Sequence, residues 1–125
     1  MAPKPLHICS VNTQGLLQSE KRKRLFEWCK QQKCQILMMQ ETHFTRSMND
    51  NLNNDLPGEI FHSWGSSASR GVAIWFTKQT KYNIINEFKD QEGRYLLINV
   101  ELGDNVYSLI NIYAPNIAKK KKCFL

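Results

Sequence analysis

The segment LMMQETH, residues 37–43, decides the fold of this chain. An apolar run typical of a buried strand ends there in an amide, a carboxylate and an imidazole. A strand that only fills a core has no use for a charge at its carboxyl end, because a buried carboxylate without a partner is costly. Either Glu41 caps the backbone of a loop, or a cation or hydrogen-bond donor meets it.

The elements before this segment predict a crossover unit. Residues 6–12 alternate in hydrophobicity and indicate a strand, and residues 20–32 indicate an amphipathic helix capped by Ser19. Residues 35–40 form the next strand. Strand, helix and strand in this order favour a parallel pair of strands joined by the helix.

The segments after residue 43 predict further strands. Residues 45–58 are polar and rich in Asn and Asp, which is typical of a loop. The last hairpin is apolar on both faces, so its sheet needs a layer on each side, and we expect this chain to lack the second layer. The pattern predicts an α/β (α+β) protein with one mixed sheet of six or seven strands and one main helix. The strand-like runs are residues 59–64, 71–77, 82–88, 94–101 and 105–113.

Length and composition favour one small domain. The chain has 125 residues, 42% of them hydrophobic, which is enough to bury a core. No apolar run is long enough to span a bilayer, and the first residues lack the apolar segment of a secretory signal. We therefore expect a nuclear or cytoplasmic protein rather than a secreted one.

The positive charge is concentrated in two clusters. The formal net charge is +6, and it falls to +2 without the four lysines of residues 119–122. A second cluster, KRKR at residues 21–24, opens the predicted helix. Both clusters are compatible with a solvated surface and with contacts to nucleic-acid phosphates, and charge alone does not separate the two.

The four cysteines predict reduced thiols rather than a zinc site. Cys29 and Cys34 are separated by four residues, and there is no matching second pair. A structural zinc site needs four converging ligands, usually as two spaced pairs. We therefore expect buried, unpaired cysteines.

Polar residues stand where three apolar strands stop. Asn12 follows the first strand, Glu41 the second, and Tyr113 with Asn116 the last. Sites gather at the carboxyl ends of strands in sheets with parallel crossovers, because loops converge there. One carboxylate beside an amide suits Mg²⁺, which keeps most of its waters. Capping of loop backbone remains the structural alternative.

Six segments, in this order, closely resemble the start of the endonuclease/exonuclease/phosphatase superfamily. The closest resemblance is to the apurinic-endonuclease-like domain of vertebrate LINE-type (non-LTR) retrotransposons, and it runs from about residue 6 to residue 116. The segments are SVNTQGL (10–16), KRKRLFEW (21–28), MQETH (39–43), GVAI (71–74), GRYL (93–96) and NIYAPN (111–116).

The resemblance implies a Mg²⁺-dependent DNA endonuclease, a phosphodiester hydrolase. Glu41 would bind one Mg²⁺ ion, or Mn²⁺, with Asn12 beside the ion without ligating it directly, and Tyr113 would hydrogen-bond the scissile phosphate. Residues 1–116 would form the N-terminal half of a four-layered α/β sandwich, followed by a basic, disordered tail at 117–125. Residues expected to contact DNA are Arg70, Asn116, Lys21, Arg22, Lys119 and Lys120.

The resemblance also implies that part of the site is absent. The second half of such domains supplies an Asp-x-Asn pair, a late Asp and a terminal Asp-His pair, so this chain is expected to be inactive alone. One alternative is a catalytically dead retrotransposon remnant that binds nucleic acid weakly. Another is an interaction module that self-associates or binds a second chain through an uncovered sheet face.

Overall fold

The predicted α+β class with one main helix is confirmed. The computed structural model describes residues 5–45, 49–65 and 70–114, with only the backbone of residues 49–51. The elements are β1 (Ile8–Asn12), α1 (Ser19–Gln31), β2 (Ile36–Gln40), α2 (Asn49–Asp55), β3 (Gly58–Ser63), β4 (Val72–Thr77), β5 (Asn83–Lys89), β6 (Tyr95–Leu102) and β7 (Asn105–Ile112).

The first three elements form the predicted crossover unit. β1 and β2 pair in parallel from Ile8 opposite Ile36 to Asn12 opposite Gln40. The carboxyl ends of the two strands therefore lie side by side at one edge of the sheet. This edge is called the site edge below.

The expected single mixed sheet is wrong, because the strands divide between two sheets. One sheet has the order β1-β2-β4-β3, and the other has the order β5-β6-β7. After β4 the chain crosses to the second sheet, where the ring of Tyr82 stacks on Phe76 with 4.2 Å between centroids. A period of two in the sequence indicates a strand but not which neighbour it pairs with, so the division was not predictable from periodicity.

The two sheets pack face to face, so one apolar face of the last hairpin is covered within the chain. Its other face, which includes Ile110 and Ile112, is exposed, as expected for a chain that lacks a layer on that side. Ile74 and Phe76 of β4 share a core with Leu96 and Ile98 of β6. The opposite face of the four-stranded sheet packs against the helices, with the fully buried Trp75 at its centre. The described chain thus has three layers: helices, a four-stranded sheet and a three-stranded sheet.

Helix α2 lies in the segment predicted to be a loop. Leu52 and Leu56 are buried against the core, four positions apart, which is the spacing of one helical face. Asp55 ends the helix and accepts a hydrogen bond from Arg22 Nε at 2.9 Å. The many Asn and Asp residues concealed this short apolar pattern.

Ser19 is not the cap of α1. Gln18 occupies the N-cap position without a side-chain hydrogen bond. The Ser19 hydroxyl instead donates to Asp55 Oδ2 at 2.9 Å. A tertiary contact between the two helices has displaced the expected local one.

The described cysteines are free thiols, as predicted. Cys29 and Cys34 are buried and Cys9 is partly buried, while Cys123 lies outside the described residues. Burial, together with a hydrogen bond to Cys34, raises the pKa of Cys9 to about 11.

In the described ranges no helix is long and apolar enough to cross a membrane.

The two sheets are offset from one another. β7 lies against β2 and β4, and β6 against β4 and β3. β1 is therefore left at one margin, where Ile8, Ser10 and Asn12 are exposed, and β5 is left at the other. The side of the three-stranded sheet turned away from the core is called the outer face, and its apolar members are Phe88, Tyr95, Leu97, Val106, Ile110 and Ile112.

Candidate active site

Backbone and hydroxyl hydrogen bonds join the loops that follow β1 and β2. The amide of Thr13 donates to the carbonyl of Gln40 at 2.9 Å, and that of Gly15 donates to the carbonyl of Glu41 at 2.7 Å. The Thr13 hydroxyl also donates to the Glu41 carbonyl at 2.9 Å. These bonds hold Asn12 and Glu41 on neighbouring strand ends, as the sequence predicted.

The end of β7 reaches the same site edge through a relay of backbone bonds. Thr42 N donates to the carbonyl of Gly71 at 3.1 Å, and Gly71 N donates to the carbonyl of Gly93 at 3.0 Å. Tyr113 N then donates to the carbonyl of Arg94 at 2.7 Å. Tyr113 is thus placed at the edge that carries Glu41, although it belongs to the other sheet.

A buried amide ties the two sheets together beneath this edge. The side chain of Asn111 is 2% exposed, and its Nδ2 donates to the carbonyls of Met39 at 3.0 Å and Ala73 at 2.8 Å. Gln40 Nε2 donates to Asn111 Oδ1 at 2.7 Å and to Ser10 Oγ at 3.0 Å. We call this set of bonds the amide clamp.

Sequence reasoning assigned no role to Gln40 or Asn111. Both lie inside the segments MQETH and NIYAPN, so the signal was present in the sequence. It could not be interpreted without the fold, because Gln40 and Asn111 are 71 positions apart. Their role is to fix how the strand ends of the two sheets meet.

Glu41 has an unusual backbone conformation, and its carboxylate has no partner among the described residues. Its φ is +53°, in the left-handed region that non-glycine residues seldom adopt. Such conformations cluster at functional sites, where the surrounding structure holds them in place. The half-buried carboxylate forms no hydrogen bond or ion pair within the part of the chain that the structure describes.

Two side chains at the site edge carry oxygen atoms that could ligate a hard cation. Glu41 offers a carboxylate, and the exposed Asn12 offers an amide whose Oδ1 accepts a hydrogen bond from Gln14 N at 3.0 Å. Over residues 5–45, 49–65 and 70–114, no group of three or more His, Cys, Asp or Glu residues could hold a metal ion. Mg²⁺ binds through one or two carboxylates together with water and phosphate oxygens, so these two side chains alone would leave most of its coordination positions to other ligands.

Arg22, expected to contact DNA, is a structural residue. It is 5% exposed, and its guanidinium pairs with Asp55 and donates to the carbonyls of Leu16 and Leu17 at 2.8 and 2.9 Å. A run of four basic residues suggests uniform exposure, but one position in a helical turn faces inward. The expectation of a DNA contact at Arg22 is therefore wrong.

The remaining predicted DNA contacts occupy different places. Lys21 lines a cleft of about 270 Å³ beside His43, and its Nζ lies 3.3 Å from the carbonyl of Gln14. Arg70 is partly exposed, and its guanidinium is 3.6 Å from the Glu92 carboxylate. The predicted contacts Asn116, Lys119 and Lys120 lie outside the described residues.

Gly15 permits a close approach of the His43 ring near the site edge. A Cβ atom at residue 15 would lie 2.9 Å from His43 Nδ1, and the φ of Gly15 is +97°. Any larger residue would therefore be strained and would displace the imidazole. The ring of His43 thereby becomes part of the wall of the Lys21 cleft.

Comparisons with known proteins confirm the predicted resemblance at the level of the fold. No family model matches the chain. It is 24% identical over 119 residues to the transposon TX1 uncharacterized 149 kDa protein of Xenopus laevis, covering 95% of this chain and 9% of that protein. The solved structures to which this chain is similar have folds of the endonuclease/exonuclease/phosphatase type.

Three solved structures illustrate the structural likeness. A humanized D. rerio TDP2 superposes with a TM-score of 0.69 at 16% identity, covering 94% of this chain and 53% of that one. A mannosyl-6-phosphatase of Bacteroides thetaiotaomicron gives 0.66 at 14% identity, with 93% and 54% covered. The human nocturnin catalytic domain with bound sulfate gives 0.54 at 16%, with 85% and 47% covered. The chain thus spans about half the length of these solved relatives.

Proposed function

We propose that this chain carries the magnesium-binding half of a site that cleaves phosphodiester bonds in DNA, and that this half is inactive alone. One observation supports this proposal above the others. Among the described residues the Glu41 carboxylate has no hydrogen-bond or ion-pair partner, and its backbone has a positive φ at the site edge, where Asn12 and Tyr113 also lie. A structural cap would instead use its carboxylate on loop backbone.

Each of the three residues has a distinct part in this proposal. Glu41 binds the ion, and Asn12 places its amide beside the ion without ligating it directly. Tyr113 donates its hydroxyl proton in a hydrogen bond to a phosphate oxygen. The ion, when bound, would polarise the phosphate and stabilise charge on the leaving oxygen.

The neighbours support phosphate ester chemistry and nucleic acid as the ligand class. One D. rerio TDP2 structure is a complex with a single-strand DNA product, with a TM-score of 0.58 at 13% identity. Another neighbour is a phosphatase, and a third holds a sulfate anion. We propose that Lys21 and Arg70 contact DNA phosphates, and also Lys119 and Lys120, which lie outside the described residues.

Metal binding tests the proposal directly. We expect Mn²⁺, used as a paramagnetic substitute for Mg²⁺, to broaden NMR signals of residues around 12 and 41. Glu41→Gln removes this effect, because the neutral amide is a far weaker ligand for a hard cation. Glu101→Gln, an exposed glutamate on β6, serves as the matched control and leaves it unchanged. Equal broadening in wild type and Glu41→Gln would refute the metal assignment.

Plasmid nicking tests whether this half is inactive alone. We expect no nicking of supercoiled plasmid or of an abasic-site duplex by the purified chain with Mg²⁺. Nicking that is abolished both by EDTA and by Glu41→Gln would show that a complete site assembles without a further polypeptide. That outcome would retain the metal assignment and overturn the claim of incompleteness.

The second candidate function is that of a nuclear or cytoplasmic interaction module derived from a retrotransposon. The outer face favours it, since Phe88, Ile110 and Ile112 are each more than half exposed there. β7 is also an edge strand without a charged residue. We propose that a second copy, or another chain, covers this face and edge.

A further inference from the structure

The edge strand β3 lines a cleft that the proposed active site does not use. β3 pairs with β4 on one side, and its other edge is the margin of the four-stranded sheet. A cleft of about 570 Å³ is lined by five consecutive residues of this strand, 58–62. It therefore follows the strand direction and is called the β3 cleft.

The offset of the sheets makes this cleft a recess rather than an open surface. β6, rather than β5, lies against β3 and β4, so β5 extends beyond the β3 edge. Glu87 and Lys89 of β5 point toward the four-stranded sheet, because they stand opposite the inward-facing Ile98 and Leu96. Leu52 and Asn53 of α2 complete the opposite wall. A strand added beside β3, at about 4.8 Å, would lie beneath β5.

β3 lacks most of the features that usually prevent an edge strand from pairing with another chain. Natural edges carry bulges, lysines or prolines that block pairing with another chain. β5 has such features, namely a register shift between Ile84 and Asn86 and the charged side chains of Glu87 and Lys89. Within β3 the only charged residue is Glu59, whose carboxylate accepts a hydrogen bond from the hydroxyl of Tyr82.

The charges of the β3 cleft favour a basic ligand. The described residues that line it include two carboxylates, Glu59 and Glu87, and one cation, in a chain whose net charge is +6. That cation, Lys89, has its ammonium 5.0 Å from the ring centroid of Trp64. Burial, reinforced by Lys89, lowers the pKa of His62 to about 4, so His62 is neutral at pH 7. Nucleic-acid phosphates would meet net repulsion here.

We propose that the β3 cleft binds an extended basic peptide segment of another protein, which adds to β3 as a fifth strand. Backbone hydrogen bonds to β3 supply the affinity, as in other cases of β-strand addition. A lysine or arginine of the peptide pairs with Glu87, and apolar side chains pack against the partly buried Ile60. This site is separate from Glu41 and does not depend on the proposed phosphodiesterase.

NMR titration of the full chain with the probe acetyl-KVKVKV-amide tests the proposal. We expect chemical-shift changes at residues 58–62 and none along the β7 edge, residues 105–112. Only alternate residues of an added strand direct their N–H groups toward β3. Of two probes, one N-methylated at its valines and one at its lysines, we therefore expect one to lose binding and the other to retain it.

Glu87→Gln provides the test of charge. We expect it to weaken the affinity about fivefold, the effect of losing one partly exposed ion pair. Glu101→Gln should leave the affinity unchanged. The proposal is overturned by an absence of binding at 1 mM peptide, by shifts confined to β7, or by equal binding of both N-methylated probes. It is also overturned if a single-stranded oligonucleotide shifts residues 58–62 and the peptide does not.

Discussion

At the scale of single residues, the amide clamp explains how a site can be assembled from two sheets. Asn111 is buried and makes three hydrogen bonds, two to backbone carbonyls of β2 and β4 and one with Gln40. Buried amides are costly unless satisfied, so only one alignment of the sheets accommodates this residue. The clamp thereby fixes Tyr113, two positions further on, relative to Glu41.

Replacement of Asn111 by Leu should destabilise the fold. The carbonyls of Met39 and Ala73 would lose the Asn111 amide as a partner, and each buried unpaired group costs about 1–3 kcal/mol, whereas Gln40 Nε2 would keep its hydrogen bond to Ser10 Oγ. We expect the free energy of unfolding, measured by urea denaturation, to fall by about 3 kcal/mol.

Asn99→Leu is the matched control for the clamp, because Asn99 lies in the same sheet and bonds to Asn86 and Ser108 at exposed positions. We expect it to cost less than about 1 kcal/mol. Equal losses for the two variants would contradict a special role for the clamp.

At the scale of elements, one buried ion pair connects α1 to α2. The Arg22 guanidinium and the Asp55 carboxylate are 2.9 Å apart, and both side chains are almost fully buried. Burial acts to raise the pKa of Asp55, but hydrogen bonds from Ser19 and Arg22 and the charge of Arg22 outweigh it and hold the pKa below its usual value. The pair orients a helix of only seven residues that has little intrinsic stability.

Asp55→Asn should lower the free energy of unfolding by about 3 kcal/mol at pH 7, because Arg22 would keep a buried charge without a counterion. A depressed carboxyl pKa stabilises the fold above the unfolded value, about 3.9, and this contribution is lost as the pH falls through the folded pKa. The difference between wild type and variant should therefore narrow below about pH 4.

Glu92→Gln is the control for Asp55→Asn, because it removes an exposed ion-pair partner of Arg70 and Arg94. It should lower the free energy of unfolding by less than about 0.5 kcal/mol. Thermal unfolding at several pH values gives the free energy of unfolding of the wild type, Asp55→Asn and Glu92→Gln. A gap between wild type and Asp55→Asn that stays constant down to pH 2 would contradict the assigned role of the ion pair.

At the scale of the whole molecule, the offset between the sheets leaves two open margins with different properties. At one margin β7 is uncharged, and the nearby residues Ile8, Ser10 and Asn12 of β1 are uncovered. At the other margin β3 is recessed below the charged end of β5. The β7 margin could therefore bind an extended apolar surface, and the β3 margin could bind a single basic strand.

Self-association through the β7 margin should be sensitive to the position of an added charge. We expect light scattering after size-exclusion chromatography to show concentration-dependent dimers of the wild type. Ile110→Lys on β7 should abolish them, because a lysine on an edge strand prevents strand pairing.

Ile85→Lys is the matched control, since Ile85 is 51% exposed and Ile110 is 54% exposed, but Ile85 lies on β5. We expect this variant to dimerise like the wild type. A monomeric wild type, or equal behaviour of the two variants, would rule out an interface at β7.

Much of the local structure was predictable from the sequence. The β1-α1-β2 crossover, the later strands and the placement of Asn12, Glu41 and Tyr113 at strand ends followed from periodicity and from the quoted segments. α2 was missed because its polar composition outweighed the two leucines. The two-sheet division was missed because strand pairing is a long-range property.

The sequence by itself determined which residues form each strand and which polar groups end them, because both depend on neighbours along the chain. Tertiary structure alone decided that Arg22 is buried, that Asn111 joins the sheets and that β3 borders a recess. Each of these depends on segments that meet only after the chain has folded. Arg22 is 33 positions from Asp55 and Asn111 is 71 positions from Gln40, separations over which no local pattern carries information.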